Sequence, residues 1–300
     1  MNLKNRILFQ LTEKIILRNK KFKGIHNGES CYLFGNAKSL KYYDLSLFND
    51  RVSIGCNSLF LHKDFSKIDV KYYYRGAPLD YYPFHRNPYT KKIRKHLNGY
   101  SSYKKNFHEN SDVNFFIDIT DYPSLRGENI FYLHNFGQQF TDYSNCNLDG
   151  VFSATQSALS GMIGLAIYLG FKDITLVGCD QLLIPKATEH FFEYGRIDQD
   201  HSPSVLSEKI INSAQKFLNL RVVSPNSNYK GHIIDHIQYS DLTGRAAEFK
   251  ENHEIISEDN LKILRSYNYN YSLTEDEFLR NNKWRLSESE NKWSIEKETL

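Results

Sequence analysis

Apolar residues along this chain follow two rhythms. Between residues 30 and 240, short apolar or aromatic runs alternate with stretches of helical period. The runs cover 30–35, 52–57, 70–75, 114–118, 130–134, 174–179 and 221–224, and several end at Gly, Asn or Asp. Runs of this length and ending are what strands buried on both faces produce. Between them, 156–170 places Leu159, Ile163, Ala166, Ile167 and Leu169 where a helix can cover a sheet, with Gly170 as its C-cap. A second helix is predicted over 204–219. The alternation predicts an α/β fold with a doubly wound, mostly parallel, Rossmann-like sheet.

Three segments stand apart from this alternation. In the first 23 residues, Leu3, Ile7, Leu11 and Ile15 recur every fourth position among Lys4, Arg6, Lys14, Arg18, Lys20, Lys21 and Lys23. This is a basic amphipathic helix, expected as a separate unit over 1–24. It suits either peripheral contact with an anionic membrane surface or packing on its own domain or a sister subunit, and packing is the favoured expectation. Residues 77–113 interleave Tyr81, Tyr82, Phe84, Tyr89, Tyr100 and Tyr103 with basic residues, and read as an insertion or lid within an α/β domain over 25–250. Residues 251–300 are polar and helical in pattern, a C-terminal tail.

Composition narrows the class. The 300 residues carry 38 basic and 35 acidic side chains, a formal charge of only +3, so global charge gives no argument for nucleic acid. Cys31, Cys56, Cys146 and Cys179 form no close pair, which points to reduced thiols in a cytoplasmic protein rather than to disulfides or zinc. No leader segment and no apolar run long enough to span a bilayer is read from the sequence.

The most informative stretch is Cys31-Tyr32-Leu33-Phe34-Gly35-Asn36-Ala37-Lys38-Ser39-Leu40. It reads as a strand stopping at Gly35, a loop of small residues, and a helix starting at Ser39. Glycine permits positive φ or close approach of a ligand. Asn36 and Ser39 bring an amide and a hydroxyl, and a helix start offers free N–H groups to an anion. A structural Gly-Asn turn explains the same residues equally well. Among the histidines, His201 follows Asp198 and Asp200, His190 lies in Glu189-His190-Phe191-Phe192-Glu193, and His232 and His236 are four apart as on one helix face. No third ligand stands at a persuasive spacing, so no metal site is expected.

Three segments, in order and at similar spacing, resemble the bacterial sialyltransferases of glycosyltransferase family 42 and the related DUF115 or pterin-pyrophosphokinase-like family. They are Leu33-Phe34-Gly35-Asn36-Ala37-Lys38-Ser39-Leu40, Ile54-Gly55-Cys56-Asn57-Ser58-Leu59-Phe60, and the stretch from Leu159-Ser160-Gly161 to Val177-Gly178-Cys179-Asp180. The resemblance implies a GT-A-variant α/β fold that binds a CMP-activated sugar. It assigns Gly35, Asn36, Ser39 and Asn57 to the nucleotide, Ser160 and Gly161 to the ribose-phosphate or sugar, and Asp180 to the crevice at a strand end. His201 would be the general base and His190 its rival, with Arg75 available to a carboxylate or phosphate. The pattern departs from the family at Arg75, Ser157, Leu182 and Asp198, which stand where the family has an asparagine, an arginine and two tyrosines.

The expectation that follows is a metal-independent glycosyltransferase. It would move sialic acid or a related nonulosonic acid from a CMP-sugar to a hydroxyl of a glycan or glycolipid acceptor in capsule or lipopolysaccharide biosynthesis. It needs no cofactor. The site would be cytoplasmic, with the protein peripheral on the inner face of the membrane, and a homo-oligomer is compatible with the chain. Two alternatives stand beside it: a pterin pyrophosphokinase-like enzyme using ATP and Mg²⁺, and a non-catalytic nucleotide-binding module.

Overall fold

Every one of the seven apolar runs forms a strand of a single sheet in the computed structural model of the protein. The structure describes residues 3–78, 81, 105–134, 140–144, 146–185, 189–193, 204–267, 284–287 and 294–297. In chain order the strands are β1 (Ser30–Phe34), β2 (Ser53–Cys56), β3 (Val70–Arg75), β4 (Asn114–Asp118), β5 (Ile130–Leu133), β6 (Asp173–Val177), β7 (Leu183–Ile184), β8 (Asn219–Ser224), β9 (Lys230–Gly231) and β10 (Asp235–Gln238). Eight of these make one sheet in the order β10-β8-β6-β1-β2-β3-β4-β5. All of its pairings are parallel.

Strand periodicity explains why the runs are continuously apolar. Leu33, Tyr72, Tyr74, Phe116 and Phe131 point into one buried cluster, and their neighbours Phe34, Tyr73, Phe115, Ile117 and Tyr132 into another. Both faces of the sheet are covered, so both alternating sets must be apolar. Burying one such side chain is worth about 1.5–3 kcal/mol.

Of the helices, α1 (Leu3–Ile16) leads into a 3-10 segment at Leu17–Phe22, and α2 (Ala158–Leu169) and α3 (Val205–Ala214) pack on the first face. Ser157 and Ser160 close a reciprocal cap at the start of α2, and Gly170 ends it at φ 97°. Helix α2 is apolar on nearly every side because it is buried on nearly every side. The N-terminal segment docks on its own domain: Phe22 meets Phe131 edge-on at 4.7 Å, and buried Asn19 Nδ2 donates to the carbonyls of Tyr132 and Leu148. Ile7 and Leu11 on α1 remain exposed. No helix among the described residues is long and apolar enough to cross a membrane.

The chain then forms α4 (Tyr239–Thr243), α5 (Asn252–Ile255) and α6 (Glu258–Tyr267). Helices α5 and α6 lie where a helical pattern is expected after residue 251, and they pack on the domain. Ile255, Ile256, Leu261 and Leu264 enter the core of the second face, and Ile256 bridges to His62. Further on, β11 (Trp284–Ser287) pairs antiparallel with β12 (Ser294–Lys297), a hairpin where the polar pattern suggested helix. Tyr81 and Phe107 pack edge-on at 5.1 Å in the same core. Residues 79–80 and 82–104, most of the expected insertion, lie outside the described residues.

Candidate functional site at the sheet's carboxyl edge

The sheet changes winding direction between β1 and β6. From β1 the chain adds β2, β3, β4 and β5 on one side, then returns to add β6, β8 and β10 on the other. Open α/β sheets bind ligands in the crevice outside the strand tips at such a point. The loops leaving β1 and β6 are the ones that carry Gly35, Asn36, Ser39 and Asp180.

Here the backbones come unusually close. Gly35 N–H donates to Val177 O at 2.8 Å and Ala37 N–H to Gly178 O at 3.0 Å. A Cβ on Gly35 would sit 2.1 Å from the Gly178 carbonyl oxygen. Its φ is not positive, so the close approach of the neighbouring β6 tip, not a turn, is what favours glycine here.

Asn36 is buried and fully used. Its Nδ2 donates to Cys56 O at 2.9 Å, and its Oδ1 accepts from Ser58 N–H at 2.9 Å, fastening the β1 tip to the β2 tip. The segment expected to begin a helix at Ser39 is one 3-10 turn, Lys38–Lys41. Its N–H group is not open to an anion: Ser39 N–H donates to Asp180 Oδ2 at 2.8 Å.

Asp180 is 3% exposed. Its carboxyl is pushed up to about 6, mainly by burial, against the lowering pull of the Ser39 hydrogen bonds and Lys38. Oδ1 of Asp180 is buried and makes no hydrogen bond to a described residue. Lys38 Nζ lies 3.1 Å from Glu189 Oε2 in a buried ion pair.

Asn57 follows β2 at φ 49°, in the left-handed region. Tyr73 OH donates to its carbonyl at 2.9 Å. The register pairs Cys56 with Tyr74, which sets Arg75 beside Asn57 at the same edge. Arg75 is half-buried, its guanidinium 5.9 Å from the centre of the Tyr81 ring.

Ser160 and Gly161 reach this edge at the start of α2, but their groups are committed. Ser160 Oγ donates to Ser157 O at 2.9 Å and accepts from Ser157 N–H at 3.0 Å. Gly161 lies flat against Tyr74, where a Cβ would be 2.0 Å from the ring carbon Cζ. Gly35, Asn57, Gly161 and Asp180 thus occupy one continuous edge across the β6, β1, β2 and β3 tips. Within it, Gly35 and Gly161 allow close packing, Asn36 and Ser160 are held by hydrogen bonds, and Ser39 is bonded to Asp180.

Residues 189–193 cover the β1 loop. Lys38 N–H donates to Glu189 O and Phe191 N–H to Asn36 O, both at 2.9 Å, and Ala37 bridges antiparallel to His190. His190 therefore lies against the β1 loop. His201, with Asp198, Asp200 and Arg196, lies outside the described residues. His232 and His236 do not share a helix: His236 is in β10 and His232 precedes it. No group of three or more His, Cys, Asp or Glu that could hold a metal ion occurs among the described residues.

Two residues escaped the sequence reading. Lys38 and Glu193 gave no signal beyond ordinary charges between small or aromatic neighbours. Two open grooves of 890 and 570 Å³ lie at the opposite, amino-terminal edge of the sheet, both lined by Ser30, Arg51 and Asp173. They contain none of the expected site residues.

No family model matches the chain, and no curated protein matches it. Among solved structures it is similar to the sialyltransferase CstII from Campylobacter jejuni in complex with a substrate analogue, cytidine-5'-monophosphate. That match has 17% identity and a TM-score of 0.42, and covers 81% of this chain and 99% of that one. It is also similar to a variant of the sialyltransferase Cst-II in complex with CMP, at 14% identity and a TM-score of 0.28, over 82% of this chain and 79% of that one.

Proposed function

We propose that the chain is a glycosyltransferase that moves a nonulosonic acid such as sialic acid from a CMP-activated donor to a hydroxyl of a surface glycan or glycolipid. One observation carries this reading: the motifs that resemble family 42 meet at the winding reversal between β1 and β6, where such sheets take nucleotides. Asn57 and Asp180 contact the nucleotide, Ser39 supports Asp180, and Arg75 faces the donor's carboxylate or phosphate.

The acceptor oxygen bonds to the anomeric carbon while the bond from that carbon to the phosphate oxygen breaks. The electron pair leaves with CMP. The acceptor's proton passes to a histidine, which the family resemblance assigns to His201 and for which His190 is the second candidate. A single departing phosphate can be served by an arginine, here Arg75, without a resident metal.

Membrane-anchored acceptors would suit a peripheral location. Ile7 and Leu11 are 50% and 75% exposed on α1, with Lys14 exposed beside them, a surface suited to anionic lipid.

The test is CMP release from CMP-N-acetylneuraminate with and without oligosaccharide acceptors. Turnover supports the reading. Tight CMP binding without turnover on any CMP-sugar leaves a nucleotide-binding module, the role favoured by the structural commitment of Asn36 and Ser160. AMP release from ATP and a pterin overturns both.

A further inference from the structure

The turn at 190–193 holds a histidine in a specific orientation. His190 Nδ1 lies 2.7 Å from Glu193 Oε2. The same carboxylate oxygen accepts the His190 backbone N–H at 3.3 Å, and Glu193 N–H donates to His190 O at 2.9 Å. The imidazole stacks on Phe192, with ring centres 5.2 Å apart and planes within 9°. Glu193 is 4% exposed, whereas the His190 side chain is 43% exposed. A carboxylate this buried is costly without a partner, and the imidazole N–H is one.

One ring nitrogen is thus held by the protein, and the other, Nε2, makes no hydrogen bond to a described residue. A neutral imidazole that donates its Nδ1 hydrogen to a carboxylate keeps its lone pair on Nε2. The carboxylate also stabilises the imidazolium formed when Nε2 takes a proton, as in the orienting acid of a catalytic triad. The location matches the chemistry. His190 bridges Ala37 in the β1 loop, and antiparallel bridging puts their backbones about 5 Å apart. The Lys38–Glu189 pair pins the same segment to that loop.

We infer that Glu193 is a positioning residue that makes His190 Nε2 the proton acceptor of the transfer reaction, in place of His201. This rests on the glycosyltransferase reading. In the step, the acceptor hydroxyl's proton moves to Nε2 as its oxygen bonds to the anomeric carbon, and CMP departs with the electron pair of the broken bond. Glu193 keeps its negative charge throughout.

The experiment pairs kinetics with ¹⁵N NMR of the histidine rings in the full chain. With CMP-N-acetylneuraminate as donor, Glu193→Ala is expected to lower kcat about a hundredfold while KM for the donor stays within about threefold, part of what general base catalysis contributes. Glu193→Gln still offers an acceptor oxygen to Nδ1–H and is expected to recover much of that loss. The His190 ring should read as the Nδ1–H tautomer in the unaltered protein and in Glu193→Gln, and as a mixture in Glu193→Ala. Unchanged kcat in Glu193→Ala, an Nε2–H tautomer in the unaltered protein, or full activity of His190→Ala alongside an inactive His201→Ala each overturns the inference. If the unaltered protein turns over no CMP-sugar, the transferase reading fails and the catalytic role of His190 falls with it. The ring tautomer still reports whether Glu193 orients His190.

Discussion

The Ser39 backbone N–H donates to the Asp180 carboxylate at 2.8 Å, joining the loops after β1 and β6 across 141 positions of sequence. The bond takes up the N–H group that an isolated helix start would have offered to an anion. It also leaves one carboxylate oxygen of Asp180 without a hydrogen bond to a described residue. The crevice is therefore preorganised around a buried acid.

That acid sets a pH dependence. Burial raises the Asp180 carboxyl from 3.8 to about 6, so the folded protein holds a proton there that the unfolded chain has released. Stability is therefore expected to fall as pH rises from about 4 to about 6, by up to about 3 kcal/mol, and to level off above that. Asp180→Asn should flatten this part of the curve. Urea titrations of both proteins at half-unit pH steps measure it; parallel curves would refute the assignment.

Lys38→Met removes one member of a buried ion pair. We expect a loss of about 3 kcal/mol in unfolding free energy, because the Glu189 carboxylate loses the cation 3.1 Å away. The double variant Lys38→Met/Glu189→Leu should regain most of it, an unequal sum that a double-mutant cycle in guanidinium reads directly.

Gly161 owes its identity to Tyr74. An alanine Cβ there would overlap the tyrosine ring, which is itself fixed in the core. Gly161→Ala should cost about 1–3 kcal/mol by overpacking. Adding Tyr74→Leu should make the alanine tolerable, since the obstruction is a side chain. No such rescue is available at Gly35, whose neighbour is the Gly178 carbonyl. Thermal unfolding of Gly161→Ala, Gly161→Ala/Tyr74→Leu and Gly35→Ala separates the cases.

Asn57 distinguishes backbone from ligand. Asn57→Gly accepts φ 49° without strain, whereas Asn57→Ala should lose about 1 kcal/mol. If the carboxamide contacts CMP, both variants should weaken CMP binding by about tenfold, the scale of one or two net hydrogen bonds. Calorimetric titration with CMP checks this. Unchanged affinity in Asn57→Gly would remove Asn57 from the site.

The sheet was legible because strands buried on both faces cannot hide their composition: all seven runs are strands, and Gly170 and Ser204 cap the helices they flank. The placement of β10 at the sheet's edge was not, since Asp235-His236-Ile237-Gln238 is half polar and follows a turn rather than an apolar break. Gly35, Asn36 and Ser160 stood out for sound reasons and were brought to the expected edge. Their contacts within the fold were not legible, because the partners of Asn36 and Gly35 come from segments distant in sequence, and one sequence shows no pairing at that range. The carboxylate behind His190 was hidden for a related reason. An acidic residue three positions on is common on any surface, and only burial turns it into an orienting group.

Residues 252–264 close two structures at once. Ile255, Ile256, Leu261 and Leu264 seal the second face, and Asn252 Nδ2 donates to Phe192 O in the turn that holds His190. During synthesis, the first 250 residues can emerge from the ribosome and pair every strand of the large sheet while this turn still lacks its support. The contact from Asn252 to this turn therefore forms only once all eight strands of the sheet have been made.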